Sequence, residues 1–237
     1  MKVISFCLYG TGGMYEQGLL ENLRRIPVIY PDWQAQVFTD GRMGPAYLKC
    51  CADLGAGVIL REPRRDAGGM FWRFEAVGDP RYEAVIVRDA DSLVNERERV
   101  AVDAWLASPA NLHTMHDSKH HWGGLWPLLG GMWGAKPGAF PHDFPNLVRW
   151  WLKHKGPFPY AADQWFLQRY VWPFVMRSGM IHTSNVNSRH RGLPFPPHPP
   201  VYWHVGERMT PQKLSGLNKA KLLTKPKPPP LPRGFAA

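Results

Sequence analysis

Two aspartates one residue apart, Asp89 and Asp91, stand directly behind the apolar run Ala84-Val85-Ile86-Val87. Carboxylates at that spacing repel each other, and a proton or a cation between them relieves the repulsion. An all-oxygen pair suits a hard divalent ion, which is readily shared with phosphate oxygens. The run in front reads as a buried strand, and ligands of parallel α/β sheets collect outside the carboxyl ends of strands. The pair therefore emerges where a phosphorylated ligand would sit. Asp-x-Asp triplets are also common in solvated turns, so the preceding strand carries this reading more than the triplet does. Arg73 and Arg88 are candidate phosphate partners, because a guanidinium pairs well with phosphate oxygens; surface ion pairing is the plain alternative. Gly10-Thr11-Gly12 lacks both the third glycine of a dinucleotide fingerprint and the lysine of a phosphate loop, so it is no independent motif. Asp163 opens an apolar-periodic segment, where a carboxylate can cap a helix or do acid–base or electrostatic work. His116, Asp117, His120 and His121 form a polar stretch that could bind a sugar or a second metal, or be solvated loop.

The elements that must position these groups alternate through the first hundred residues. Strand patterns cover Val3–Tyr9, Trp33–Thr39, Gly57–Leu60 and Ala84–Val87. Between them lie helical patterns at Glu16–Ile26, ending before Pro27, at Ala46–Leu54 and at Met70–Val77. Such alternation predicts βαβ units and a mostly parallel sheet. An amphipathic helix follows at Glu96–Ala107, then a strand at Leu112–Met115 and the glycine segment Gly130-Gly131-Met132-Trp133-Gly134. Helices at Phe144–Lys153 and Asp163–Val171 and a strand at Met180–Thr183 complete the body. After about Glu207 the pattern becomes linker and tail, with extended polyproline geometry expected over Pro226–Pro232.

The chain has 237 residues, enough for one large domain with a substantial core. Its net charge of +10 is concentrated late: residues 208–237 hold seven Lys or Arg and no acid, leaving the rest at +3. The basic balance thus describes a tail and argues against a nucleic-acid-binding surface. A basic tail suits anionic membrane lipid, or it is a solvated, disordered end. Three cysteines, Cys7, Cys50 and Cys51, offer neither a disulfide framework nor zinc spacing. With no span of roughly 20 apolar residues, the expected location is cytoplasmic, with peripheral membrane contact through the tail. Eight of the eleven tryptophans fall between Trp122 and Trp203, which fits an aromatic cleft or plain core packing.

The run Val85-Ile86-Val87-Arg88-Asp89-Ala90-Asp91-Ser92, behind Phe71-Trp72-Arg73-Phe74, resembles the Asp-x-Asp region of GT-A nucleotide-diphospho-sugar glycosyltransferases. Three later segments follow in the order used by that superfamily. Leu129–Gly134 is similar to its glycine-containing segment, Ala162-Asp163-Gln164-Trp165-Phe166-Leu167 resembles the Asp-Gln helix start of its glycogenin-like and galactosyltransferase-like members, and Tyr202-Trp203-His204-Val205-Gly206 is similar to its late histidine segment. The resemblance covers residues 1–207 and implies a GT-A, Rossmann-like α/β domain with a smaller acceptor-side subregion, followed by a flexible tail at 208–237. It implies Asp89, Asp91 and His204 as ligands of Mn2+ or Mg2+, an imidazole favouring manganese. It also implies a nucleotide-diphosphate-sugar donor held by Tyr9, Gly10, Thr11, Arg73, Arg88, Asp89, Gly130 and Gly131, and catalysis by Asp163 and Gln164. The implied reaction is transfer of a hexosyl group to a glycan or lipid-linked acceptor in polysaccharide biosynthesis. The late segment reads His-Val-Gly-Glu and lacks the Lys-Pro-Trp finish of the glycogenin-like group, so retention or inversion stays open. The alternatives are a catalytically inactive sugar-binding relative and, with less support, a phosphatase of the haloacid-dehalogenase type. The latter places its aspartate pair after the first strand and needs a later Gly-Asp-x-x-x-Asp, which is absent.

Overall fold

In the computed structural model, which describes residues 1–10, 12–124, 126–190, 192–210 and 212–213, a seven-stranded sheet grows outward from β1 (Lys2–Leu8). Six of the seven β1 residues are buried, as expected of a strand covered on both faces. Helix α1 (Gly13–Ile29) crosses to β2 (Trp33–Thr39), and α2 (Pro45–Asp53) crosses to β3 (Gly57–Leu60). The chain then returns through a 3-10 helix, Ala67–Ala76, to β4 (Ala84–Arg88) on the other side of β1. β1 pairs in parallel with both β2 and β4. The strand order is β3-β2-β1-β4-β6-β5-β7, completed by β5 (Leu112–His116), β6 (Met132–Ala135) and β7 (Met180–Thr183). Among the described strands only β6 runs against the others, antiparallel to β4 and β5. The expected mostly parallel α/β sheet is thus present. The second half of the chain is no separate sheet, since β5 to β7 extend the first.

One apolar layer holds Leu19, Leu23 and Ile26 of α1 and Val102 and Trp105 of α3 (Glu96–Leu106) against the sheet. The opposite layer joins Phe71 and Phe74 of the 3-10 helix to Phe144 and Val148 of α5 (Phe144–His154), Phe166 of α6 (Ala162–Tyr170) and Val175 of α7 (Trp172–Ser178). A short α4 (Lys119–Trp122) follows β5. No helix of the described residues is long and apolar enough to cross a membrane.

Three element boundaries differ from expectation. Helix α1 continues through Pro27 to Ile29, because proline already has a helical φ and the buried Tyr30 anchors the end by donating to Glu98 Oε1 at 2.9 Å. The Met70–Val77 helix begins earlier and is a 3-10 helix, capped by Asp66, whose carboxylate accepts the Gly68 N–H at 3.1 Å. The glycine segment contains β6, a strand too short and glycine-rich to show an alternation. Most of the proposed tail lies outside the described residues. At its start, Met209 is buried, and its N–H donates to the Asp91 carbonyl at 2.8 Å.

Candidate active site

The chain builds outward from β1 through β2 to β3 and then restarts on the opposite side with β4, so a crevice opens where β1 and β4 end together. A cavity of about 470 Å³ lies there. Cys7, Leu8 and Tyr9 from the end of β1 and Asp89, Ala90, Asp91 and Ser92 from the end of β4 form its floor. Arg73, Asp163, Gln164 and Tyr160 also line it, as do Gly206 and Arg208 from the late segment.

The aspartate turn is held rigidly from below. Buried Asn22 of α1 donates to the carbonyls of Ala90 (3.4 Å) and Ser92 (2.9 Å) and accepts the Val94 N–H at 2.9 Å. Gly18, one turn earlier, leaves the space into which the Ala90 carbonyl fits; a Cβ there would lie 3.0 Å from the Asp91 Cα and closer still to that oxygen. Neither residue stands out in the sequence, since a glycine and an asparagine within a helix have no spacing that announces a distant turn.

Across the cavity, the Arg73 guanidinium bridges two carboxylates. One nitrogen donates to Asp89 Oδ1 and the other to Asp163 Oδ2, the latter at 2.8 Å. Arg73 is buried, reached from the 3-10 helix, whereas Asp163 sits in the first turn of α6 with 4% of its surface exposed. Burial raises the Asp163 carboxyl; Arg73 pulls it down, and Asp89 pushes it up again. Two glycines make the clamp possible. β6 starts antiparallel beside Arg88, which brings its lead-in against the clamp. A Cβ on Gly130 would reach 2.5 Å from the Arg73 Nη2, and one on Gly131 would reach 2.6 Å from the Asp89 nitrogen. Gln164, with its amide oriented to suit its neighbours, donates to the Leu128 carbonyl at 2.6 Å and accepts the Gly130 N–H at 3.1 Å. It ties α6 to this lead-in.

Asp91 has a different setting. Burial, and then the Asp89 charge, push its carboxyl up to about 6. Arg208 Nε lies 3.0 Å from its Oδ2. The backbone brings that guanidinium there: Arg208 forms an antiparallel bridge with Ser92, Trp203 Nε1 donates to the Leu93 carbonyl (3.2 Å), and the Val205 N–H donates to Asp117 Oδ2 (2.9 Å). Arg208 belongs to the site, although the charge pattern alone assigns it to the tail.

Several expected site residues lie elsewhere. Arg88 does not reach the cleft: it is 2% exposed, and its Nε donates to Glu98 at 3.1 Å, because the pleat of β4 turns it toward α3. His204 is absent from the cavity wall. Its Nδ1 faces the Val205 carbonyl at 2.9 Å, and its ring packs 5.1 Å from that of His121. Among the described residues no three His, Cys, Asp or Glu side chains gather as a metal cluster, so His204 does not join Asp89 and Asp91 as arranged here. Gly10 is near but not in the wall; with φ at +72° it donates to Asp40 Oδ2 at 3.1 Å. Thr11 lies outside the described residues. The 116–121 stretch is mostly structural: His116 is buried with Nε2 at 3.0 Å from the Pro127 carbonyl, and Asp117 takes a two-pronged bond from Arg97, 2.7 Å to each oxygen.

No protein-family model matches this chain, and no curated protein resembles it in sequence. Among solved structures it resembles the mannosyltransferase PcManGT of Pyrobaculum calidifontis, in complex with GDP-Man and Mn2+, at 19% identity and a TM-score of 0.42. That match covers 57% of this chain and 44% of the other, so the chain spans less than half of the mannosyltransferase. A glycosyltransferase involved in glycosylation of the PBCV-1 major capsid matches at 14% identity over 78% of this chain and 81% of the other, with a TM-score of 0.47. The galactosyltransferase LgtC, in complex with donor and acceptor sugar analogues, matches at 14% identity over 78% and 74%, with a TM-score of 0.48.

Proposed function

We propose that the protein transfers a hexosyl group from a nucleotide-diphosphate sugar to a hydroxyl of a glycan or lipid-linked acceptor, with a divalent cation at Asp89 and Asp91. The observation that carries the reading is the cluster at the β1–β4 switch point, where three carboxylates face only two guanidinium groups in one cavity. An excess of negative charge in a partly buried crevice calls for a further cation. The donor set fits one: Asp89 is clamped by Arg73 through Oδ1, and Asp91 meets Arg208 through Oδ2. Bound there, a manganese or magnesium ion would neutralise diphosphate charge and make the nucleotide a better leaving group.

The chain's own residues then divide the work. Arg73 fixes Asp89 and Asp163 relative to each other, so their charges need no reorganisation during reaction. Asp163 faces the cavity and offsets the positive charge that develops at the anomeric carbon. Gln164 holds Gly130 against the clamp, and the absence of side chains at Gly130 and Gly131 leaves room for Arg73, Asp89 and Asp163 to close it. Tyr9 lines the nucleotide side, and Arg208 stands ready to meet diphosphate oxygens once Asp91 is engaged elsewhere. The test is manganese-dependent hydrolysis of nucleotide sugars, followed by release of the nucleoside diphosphate. Activity abolished by Asp91→Ala supports the reading; a full panel of nucleotide sugars left intact with manganese and magnesium refutes it.

A further inference from the structure

Two exposed aromatic side chains flank the cavity residues Asp163 and Gln164 in the chain. Tyr160, which lines the cavity, is 79% exposed, and Trp165, next to Gln164, is 53% exposed. Trp126 is half-buried, with its ring 6.5 Å from that of Trp165 and tilted by 53°. Gln164 explains the pairing: by bonding Leu128 and Gly130 it pins the segment that carries Trp126 onto the start of α6, which carries Trp165. Between Tyr160 and Asp163, Ala161 adopts a left-handed conformation with φ +64°, a strained state for a residue with a Cβ. That backbone turn lets Tyr160 stand in the mouth while Asp163 points inward.

Large aromatics left in water forgo the burial that usually stabilises them, so Tyr160 in the cavity wall and the Trp126–Trp165 pair beside Gln164 point to a ligand. The surroundings select its chemistry. Gln168 and Arg169, one turn beyond Trp165 on α6, are exposed and polar. Ring faces interrupted by amide and guanidinium groups match a pyranose, which has an apolar C–H face and a rim of hydroxyls. A lipid tail would require a continuous apolar surface instead.

We propose that Tyr160, Trp165 and Trp126 form a platform that stacks successive sugar rings of the acceptor, which is therefore an oligosaccharide of two or more units. This rests on the glycosyl-transfer reading above and specifies its acceptor. The platform runs from Asp163 outward along α6, so the sugar receiving the new bond sits in the cavity and the preceding one lies on Trp165.

The test uses the full chain with manganese on an array of immobilised mono-, di- and tetrasaccharides of common hexoses, with liposomes and nucleosides as competitors. Wild-type protein is expected to capture at least one oligosaccharide tenfold better than its monosaccharide. Trp165→Ala should lose tenfold or more of that capture, Trp126→Ala should lose part of it, and Trp165→Phe should keep most of it. Melting temperature checks that each variant is folded. Capture insensitive to Trp165→Ala, capture of no glycan, or displacement by liposomes or nucleosides but not by free oligosaccharide overturns the platform. Wild-type nucleotide-sugar hydrolysis, measured alongside, judges the transferase reading separately.

Discussion

Replacing Arg73 by methionine keeps the bulk of the side chain and removes the charge that joins Asp89 to Asp163. The two partners respond differently. The Asp89 side chain is 40% exposed and can return to water, whereas that of Asp163 is 5% exposed and cannot. Breaking one side of a buried ion pair costs about 3–5 kcal/mol, because the remaining charge is stranded. For a chain of this size that corresponds to a fall in melting temperature of roughly 6–20 °C. The deficit depends on pH in a defined sense. Without Arg73, the folded-state Asp163 carboxyl rises further above its unfolded value, so protonation relieves the strain: the loss is greatest at pH 7 and shrinks as pH falls toward 5. Adding Asp163→Asn removes the stranded charge and should recover most of the stability. Urea unfolding of wild type, Arg73→Met and Arg73→Met/Asp163→Asn at pH 7 and pH 5 measures all of this. A single variant that loses less than about 1 kcal/mol, or a double variant no more stable than the single, would refute the clamp.

Asn22→Ala deprives the aspartate turn of three buried hydrogen bonds and leaves two carbonyls and an N–H without partners. A loss of about 2–4 kcal/mol is expected in chemical denaturation, together with weaker nucleotide-sugar turnover. Buried His116 is held neutral, its imidazole lowered to about 4 by burial and by His190. Its contribution is complete above the unfolded pKa near 6.5 and is lost as pH falls through about 4, by up to about 3 kcal/mol. Asp91 acts in the opposite direction, because its folded carboxyl is raised to about 6. Comparing wild type with His116→Gln isolates the histidine part: between pH 6.5 and 4 the variant should lose less stability than wild type, the difference between the two profiles growing as pH falls. Arg208→Ala removes a cation that competes for Asp91. Manganese should then half-saturate the nucleotide-free protein at a concentration up to about fivefold lower, the equivalent of about 1 kcal/mol for an ion pair whose guanidinium is largely exposed, as read by calorimetry.

The amino-acid sequence by itself determined the local elements and the most conspicuous acids. Apolar runs specify β1, β2 and β4 because a strand buried on both faces needs apolar residues on both sides. The position of Asp89 and Asp91 just past such a run follows from the same pattern. Whatever depends on neighbours distant in sequence was decided by the tertiary structure. The switch point between β1 and β4 comes from strand order, and the place of Gly130 and Gly131 against Asp89 comes from the antiparallel register of β6. Arg88 and Arg73 are chemically alike, yet the pleat of one strand turns Arg88 to Glu98 while the 3-10 helix delivers Arg73 to the cavity. His204 and Arg208 exchange their expected places for a similar reason: the bridge between Ser92 and Arg208 sets which side chain of the late segment meets Asp91. Residue type and spacing encode what a side chain can do, but packing of distant backbone segments decides which groups meet.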